Sequence, residues 1–258
     1  MNIALVCIAK NEDNYIDEWI EYHIKLGFSK IFIYQNDWRY KGKYINNDCI
    51  CLIEYDGQQK QLNSYNDFIT NNYNNFDWAG FLDIDEFVVL KQDSSISEFL
   101  AKYIDYYSVG LNWSVFGSNG LQFNGDYLCV KRFTKCKKRL DKEVKCFINF
   151  NKAKDTLHFF DSPHNVSQIN KTISVDKSHF INGPFSYNGR DNRDIAYVNH
   201  YYTKTKEEWD QKMARGWPEE TAHILPPNHK VVLFHTKNTK TYNEYEDLTA
   251  YNFLYKEN

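Results

Sequence analysis

Asp83-Ile84-Asp85 sets two carboxylates two residues apart, between the apolar runs Trp78-Ala79-Gly80-Phe81-Leu82 and Phe87-Val88-Val89-Leu90. Burying carboxylates among such neighbours is costly unless a cation or hydrogen bonds satisfy them. A hard divalent ion would do so, because it takes oxygen ligands and completes its shell with water and phosphate oxygens. The plainer reading is that the aspartates cap a turn or the element that follows.

The pair needs a scaffold, and the first 90 residues supply one. Ile3-Ala4-Leu5-Val6-Cys7-Ile8 is a continuous apolar run, as expected of a strand buried on both faces. Tyr15, Ile16, Trp19, Ile20, His23 and Ile24 then recur at helical spacing, with Asn11 or Asp13 as the cap and Gly27 as the stop. Ile31–Tyr34 and Cys49–Tyr55 read as strands, and Leu62, Tyr65, Phe68, Ile69 and Tyr73 as a second helical stripe. Trp78–Leu82 is the fourth strand. Strand–helix alternation of this kind predicts parallel pairing in a doubly wound α/β sheet, with ligands beyond the carboxyl ends of its strands. Three polar clusters fall at those ends: Lys10-Asn11-Glu12, Gln35-Asn36-Asp37 and Asp83-Ile84-Asp85-Glu86.

Farther along, Ser95-Ile96-Ser97-Glu98 and Thr205-Lys206-Glu207-Glu208 have the spacing of capping boxes. The second opens a helix carrying Trp209 and Met213 on one side. Val109–Phe116 reads as a strand that ends in the turn Gly117-Ser118-Asn119-Gly120. The stretch from Phe133 to Glu143 is basic and expected at the surface.

Composition narrows the function classes. The 258 residues are 42% hydrophobic and 25% charged, ordinary for a globular chain. Tyr 20, Phe 18 and Trp 6 make the chain 17% aromatic, which fits either a biased base composition or a stacking surface. A net charge of −3 disfavours a non-specific nucleic-acid binder. The apolar runs are too short to span a membrane, and no secretory leader is visible. Six cysteines without CxxC spacing read as buried thiols in a reducing compartment. The expectation is a cytoplasmic protein.

The acidic segment Asp83-Ile84-Asp85-Glu86-Phe87 resembles the metal-binding DxD segment of nucleotide-sugar glycosyltransferases. Cys7-Ile8-Ala9-Lys10-Asn11-Glu12, Tyr15-Ile16-Asp17-Glu18-Trp19, Tyr22-His23 and Leu26-Gly27 resemble the opening of glycosyltransferase family 2-like and family 92 proteins. Trp113 with Phe116-Gly117-Ser118-Asn119-Gly120 is similar to their W–FGSSG segment, with Asn119 replacing a serine. Asn199-His200-Tyr201, Lys204, Glu208, Lys212 and Arg215-Gly216 are similar to their NHY…K…E…K…RG ending.

The resemblance implies a GT-A fold over residues 1–217, with a nucleotide-binding half (1–105), an acceptor-binding half (106–217) and an extension over 218–258. It implies a nucleotide-sugar donor, most often a UDP sugar, and transfer with inversion. Asp83, Asp85 and His200 would hold Mn²⁺ or Mg²⁺; an imidazole ligand favours Mn²⁺. Ala9, Lys10, Asn11, Glu12, Asn36, Asp37 and Asp83 would lie at the nucleotide sugar. Lys204, Lys212 and Arg215 read as a solvated helix face or as cations for the leaving diphosphate, with Lys204 and Arg215 assigned to the donor and Arg215 preferred for its phosphate-gripping fork. The acceptor residues would be Trp113, Phe116, Gly117 and Tyr187.

An inverting transfer needs a base, and Asp191, Asp194 and Asp161 occupy the interval before His200; a turn or surface role is the alternative for each. The expected setting is surface polysaccharide or glycolipid synthesis, with the basic Lys135–Lys142 stretch touching an anionic membrane face if the acceptor is lipid-linked. The tail is a homodimer arm or an acceptor lid. Two alternatives stand beside the transferase: a non-catalytic carbohydrate-binding protein on this fold, and a nucleotidyltransferase or metal-dependent phosphohydrolase on a related sheet. A nucleotidyltransferase is disfavoured because Lys10-Asn11-Glu12-Asp13 has no glycine for a phosphate loop.

Overall fold

In the computed structural model, β1 (Ile3–Ala9) lies between β2 (Lys30–Gln35) and β4 (Trp78–Phe81), parallel to both, with β3 (Ile50–Glu54) parallel to β2 at the edge. The structure describes residues 1–58, 60–126, 128–153, 160, 162–164, 171–186, 191–215, 234, 236 and 240–256. The run of six apolar residues in β1 is explained by two-sided burial. Ile3, Leu5 and Cys7 pack with α1 (Ile16–Leu26), whereas Ala4 and Val6 pack with α2 (Gln61–Asn72). Alternation along one strand thus feeds two cores, as a doubly wound sheet requires.

Helix α1 begins one turn after the polar end of β1. Its first amides are satisfied by the Glu12 carbonyl, which accepts from Tyr15 and Ile16. No side chain caps it, contrary to the expectation for Asn11 or Asp13. The Asp13 carboxylate instead accepts from Trp38 Nε1 at 2.8 Å, and Asn11 itself takes a left-handed backbone, φ 56°. Gly27 ends the helix at φ 99°, as its type suggests. Trp19 is fully buried and donates through Nε1 to the Glu86 carbonyl at 2.8 Å, and Tyr22 Oη donates to the Val88 carbonyl at 2.7 Å. The helix therefore grips β5 (Glu86–Leu90), the strand that begins directly after Asp85.

The second half joins the same sheet with strands of the other sense. Strand β8 (Val144–Asn149) runs antiparallel to β4 and to β6 (Ser108–Val115), and β9 (Thr172–Ser174) with β10 (Phe180–Ile181) extends the sheet beyond β6. Gly80 is needed at the β4–β8 crossing, where a Cβ would stand 2.3 Å from the Phe147 ring. Strand β6 serves three pairings. Residues 108–112 pair with β8 and 108–110 with β9 on the other side, while Trp113, Ser114 and Val115 pair in parallel with β11 (Ala196–His200). Strand β11 is antiparallel to β5 on its other side.

Helices α3 (Ile96–Ala101), α4 (Cys129–Arg132), α5 (Phe150–Ala153) and α6 (Lys206–Arg215) complete the described frame with α7 (Thr249–Tyr255). Thr205 and Glu208 form the expected capping box, with Glu208 N donating to Thr205 Oγ1 at 3.2 Å and Thr205 N to Glu208 Oε2 at 2.9 Å. At α3, Ser95 caps as expected, but the Glu98 carboxylate reaches one residue farther, to Ser94. Residues 240–256 pack on the chain's own core. β12 (Tyr245–Glu246) pairs with β7 (Lys135–Cys136), and Asp247 accepts from Tyr197 Oη at 2.7 Å and Arg193 at 3.0 Å. All six cysteines are free; Cys49 and Cys51 are half-buried and the other four buried.

Candidate functional site

The turn between β4 and β5 presents Asp83 and Asp85 in different surroundings. Asp83 Oδ1 accepts from Gln61 Nε2 at 2.6 Å, and Oδ2 pairs with Lys145 Nζ at 3.1 Å. Lys145 lies on β8, 1% exposed, and also reaches Glu86 Oε2 at 3.2 Å. Burial works against its charge, but the Asp83 and Glu86 carboxylates together hold the ammonium protonated. A lysine inside the apolar strand Val144-Lys145-Cys146-Phe147-Ile148 is thus the counter-ion of the acidic turn.

Asp85 faces the other way. Its Oδ2 takes Lys212 Nζ of α6 at 2.8 Å, and its Oδ1 stands 3.6 Å from His200 Nε2. Sheet register sets this meeting: β11 aligns His200 with Glu86 on one side and with Val115 on the other, and Tyr201 N donates to the Asp85 carbonyl at 2.9 Å. Burial opposes ionisation of Asp85, yet Lys212, with His200 and Lys204 behind it, holds the carboxyl well below the usual range. Burial pushes the His200 imidazole down to about 3 against the pull of Asp85, so it stands neutral at ordinary pH.

Two cavities of about 280 Å³ each lie on either side of this pair. The first is polar. Asn11, Glu12 and Tyr15 line it from the end of β1, and Lys204, Gln211 and Lys212 from α6 and the segment before it. Lys204 adopts φ 51°, a strained choice for lysine, and its Nζ sits 3.6 Å from the centre of the Tyr15 ring. Beneath this wall Glu208 joins Arg132 at 2.5 Å and accepts from Tyr15 Oη. The second cavity is lined by Trp113, Glu143, His164, Phe185, His200 and Tyr202. Trp113 lies against both imidazoles, its ring centre 4.2 Å from that of His200 and 5.0 Å from that of His164. Burial, helped by Lys145, pushes His164 down to about 4 against Asp83. His164 Nδ1 lies 3.2 Å from the Val144 carbonyl.

Of the residues expected at the donor, Asn11, Glu12 and Lys204 meet in the first cavity; Asp85 joins it through Lys212, and Asp83 is turned to Gln61 and Lys145 outside its lining. Lys10 and Asp37 form a surface ion pair of 2.9 Å. Ala9 is buried in β1, and Asn36 donates to the Tyr55 and Gly57 carbonyls. The Arg215 side chain lies outside the described residues, and the cation on Asp85 is Lys212. Among the acceptor residues Trp113 lines the second cavity. Phe116 and Gly117 instead pack behind it: Phe116 is fully buried on Tyr201, and a Cβ on Gly117 would meet the Asn243 amide at 2.5 Å. A ring with no exposed face has none to offer a sugar. Asp191 and Asp194 are exposed; Asp191 caps the 3₁₀ turn Asn192–Asp194, and neither lines either cavity. Asp161 and Tyr187 lie outside the described residues. Sequence reading passed over Lys145, Glu143 and His164; a lysine in an apolar strand was the one available signal.

A divalent cation would find part of a ligand set here. Asp85 Oδ1 and His200 Nε2, 3.6 Å apart, are too far for a hydrogen bond, yet ligands about 2.1 Å from one ion stand roughly 3–4 Å apart. That pair fits. Asp83 is turned toward Gln61 and Lys145, and among the described residues no three His, Cys, Asp or Glu side chains converge as a metal centre. No described helix is long and apolar enough to cross a membrane.

A family profile for glycosyltransferase family 92 matches residues 53–247, most of the chain. No protein of curated function matches it in sequence. Among solved structures it is similar to Staphylococcus aureus TarS 1-349 in complex with UDP, at 12% identity and a TM-score of 0.47, covering 93% of this chain and 71% of that one. The same TarS fragment in complex with UDP-GlcNAc aligns at 13% identity and a TM-score of 0.45, over 92% and 71%. The chain belongs to glycosyltransferase family 92.

Proposed function

We propose that this glycosyltransferase moves a sugar from a nucleoside-diphosphate sugar, a UDP sugar first among them, to a glycan or glycolipid hydroxyl with inversion at the anomeric carbon. The observation that carries the reading is the place of Asp85, bonded to Lys212 of the polar cavity and facing His200 of the aromatic one. A donor with its diphosphate in the first cavity would put its sugar toward the second. Lys204 and Lys212 would meet the charge that gathers on the departing diphosphate, in a setting where fixed cations count for more than in water. Asp85 and His200 would hold Mn²⁺ or Mg²⁺, which when bound adds Lewis-acid neutralisation of that charge. Trp113 would offer a face to the sugar ring.

One observation favours a second reading of the same chemistry. Each aspartate already has an ammonium, Lys145 on Asp83 and Lys212 on Asp85. A transferase that needs no divalent ion, with lysines alone facing the diphosphate, fits that arrangement.

Calorimetric binding of UDP and of GDP, with and without Mn²⁺, on wild type and Asp85→Ala separates these readings. Mn²⁺-dependent UDP binding that disappears in Asp85→Ala is the expected result. GDP preference would move the donor class, and equal UDP affinity without Mn²⁺ would favour the lysine-only reading. Failure to bind either nucleotide under any condition would sink the proposed function.

A further inference from the structure

The second cavity holds a carboxylate that the donor chemistry leaves unused. Glu143 is the one carboxyl among its described lining residues. It sits just before β8, where its carbonyl accepts from Trp113 N at 2.9 Å and its backbone bridges to Phe185. The two aromatic walls therefore flank it, a setting suited to the C–H faces of a sugar ring. Another wall of the same cavity is His200, which faces Asp85 at 3.6 Å. We propose that Glu143 is the catalytic base that removes the proton from the acceptor hydroxyl in this cavity. The proposal rests on the transferase reading above.

The step balances without a further reagent. The acceptor oxygen bonds to the anomeric carbon as the bond from that carbon to the diphosphate oxygen breaks. The electron pair leaves with the nucleoside diphosphate, and the hydroxyl proton passes to a Glu143 carboxylate oxygen and then to solvent.

The alternatives in the cavity are the two imidazoles, and both are engaged elsewhere. His200 Nε2 faces Asp85 Oδ1 at 3.6 Å, and His164 Nδ1 lies 3.2 Å from the Val144 carbonyl, with the Trp113 ring against both. Glu143 is the carboxyl on this wall, and Asp141 two residues before it is held by Lys137 at 3.0 Å and by the Lys142 amide at 2.9 Å.

The experiment is release of UDP from a panel of UDP sugars by wild type, Glu143→Gln and Glu143→Asp, with water or azide as nucleophile and UDP affinity measured alongside. Glu143→Gln is expected to keep UDP affinity and lose about 100-fold or more of the turnover with water. Azide needs no deprotonation, so it should bring Glu143→Gln back to the wild-type azide rate. Glu143→Asp keeps a carboxylate and should regain part of the turnover with water; that arm carries the test should the glutamine variant not fold. Wild-type turnover in Glu143→Gln, or a folded variant that azide does not relieve, overturns the proposal while leaving the transferase reading intact. Wild type that binds no nucleoside diphosphate overturns both.

Discussion

The two cavities beside Asp85 are built on opposite plans. The first is assembled at strand ends and from one helix, with ammoniums, amides, a phenol and the carboxyls of Glu12 and Glu208 on its walls. The second draws on β6, the start of β8, the 162–164 segment, Phe185 and the end of β11, and its walls are aromatic, imidazole and carboxyl. One is shaped for charge that is present before and after reaction. The other is shaped for a neutral ring whose proton must go somewhere. The contrast teaches that a single turn can face two chemistries, provided each aspartate has its own cation.

The hardest blow to that arrangement is Lys145→Met. Removing the ammonium leaves Asp83, a third exposed, without its cation and Glu86, which burial already pushes up toward the neutral acid, without its partner, and about 1–3 kcal/mol of stability should be lost. Chemical denaturation measures it; a loss under about 1 kcal/mol would mean the two carboxylates do not depend on this counter-ion.

A paired comparison sharpens the division of labour. Lys212→Met should weaken UDP binding about ten- to hundredfold, the worth of a hydrogen bond to a charged group. Trp113→Ala should leave UDP affinity near wild type and lower turnover with sugar acceptors. Equal damage to UDP affinity from both would erase the distinction between the cavities.

The smallest effect comes from His23, a buried histidine that lines neither cavity. Burial pushes it down to about 3, against its bond with the Trp19 carbonyl. The unfolded chain takes up the proton near pH 6.5 and the folded chain does not, so stability is full above that value and declines as pH falls toward 3. At pH 5.5 this histidine accounts for a loss of about 1.4 kcal/mol relative to pH 8. Replacement by Gln should remove that much of the acid sensitivity in thermal melts at both pH values. An unchanged slope would mean that His23 takes up no proton when the chain unfolds.

The first cavity was far more legible in sequence than the second, for a physical reason. Strand ends in a parallel sheet converge whatever their side chains, so Asn11 and Glu12 could be placed at the site from periodicity alone. Trp113 and His200 came from resemblance, and their contact depends on how β6 divides its pairing, which no local pattern encodes. Glu143 and His164 reach the same wall from segments with no regular period. Lys212 and Arg215 are spaced alike on one helix, and only the register of α6 against Asp85 decides which lysine or arginine arrives. The helix starts show the same limit: Thr205 caps as its spacing says, while the Glu12 carbonyl does for α1 what Asn11 and Asp13 were expected to do.

The shared pairing of β5 and β6 with β11 has a consequence for how the chain is made. Leu90 closes β5, but its partner ends at His200, so 110 residues must be synthesised between the two. At roughly 5–20 residues per second, the open edge of β5 waits about 5–20 s on the ribosome. During that interval the sequence Glu86-Phe87-Val88-Val89-Leu90 is an unpaired, apolar strand in a crowded solution. The acidic turn just before it cannot take its final form until β11 and Lys212 have emerged. A nascent chain whose β11 is still inside the ribosome should therefore be held by chaperones, and one from which α6 has emerged released from them.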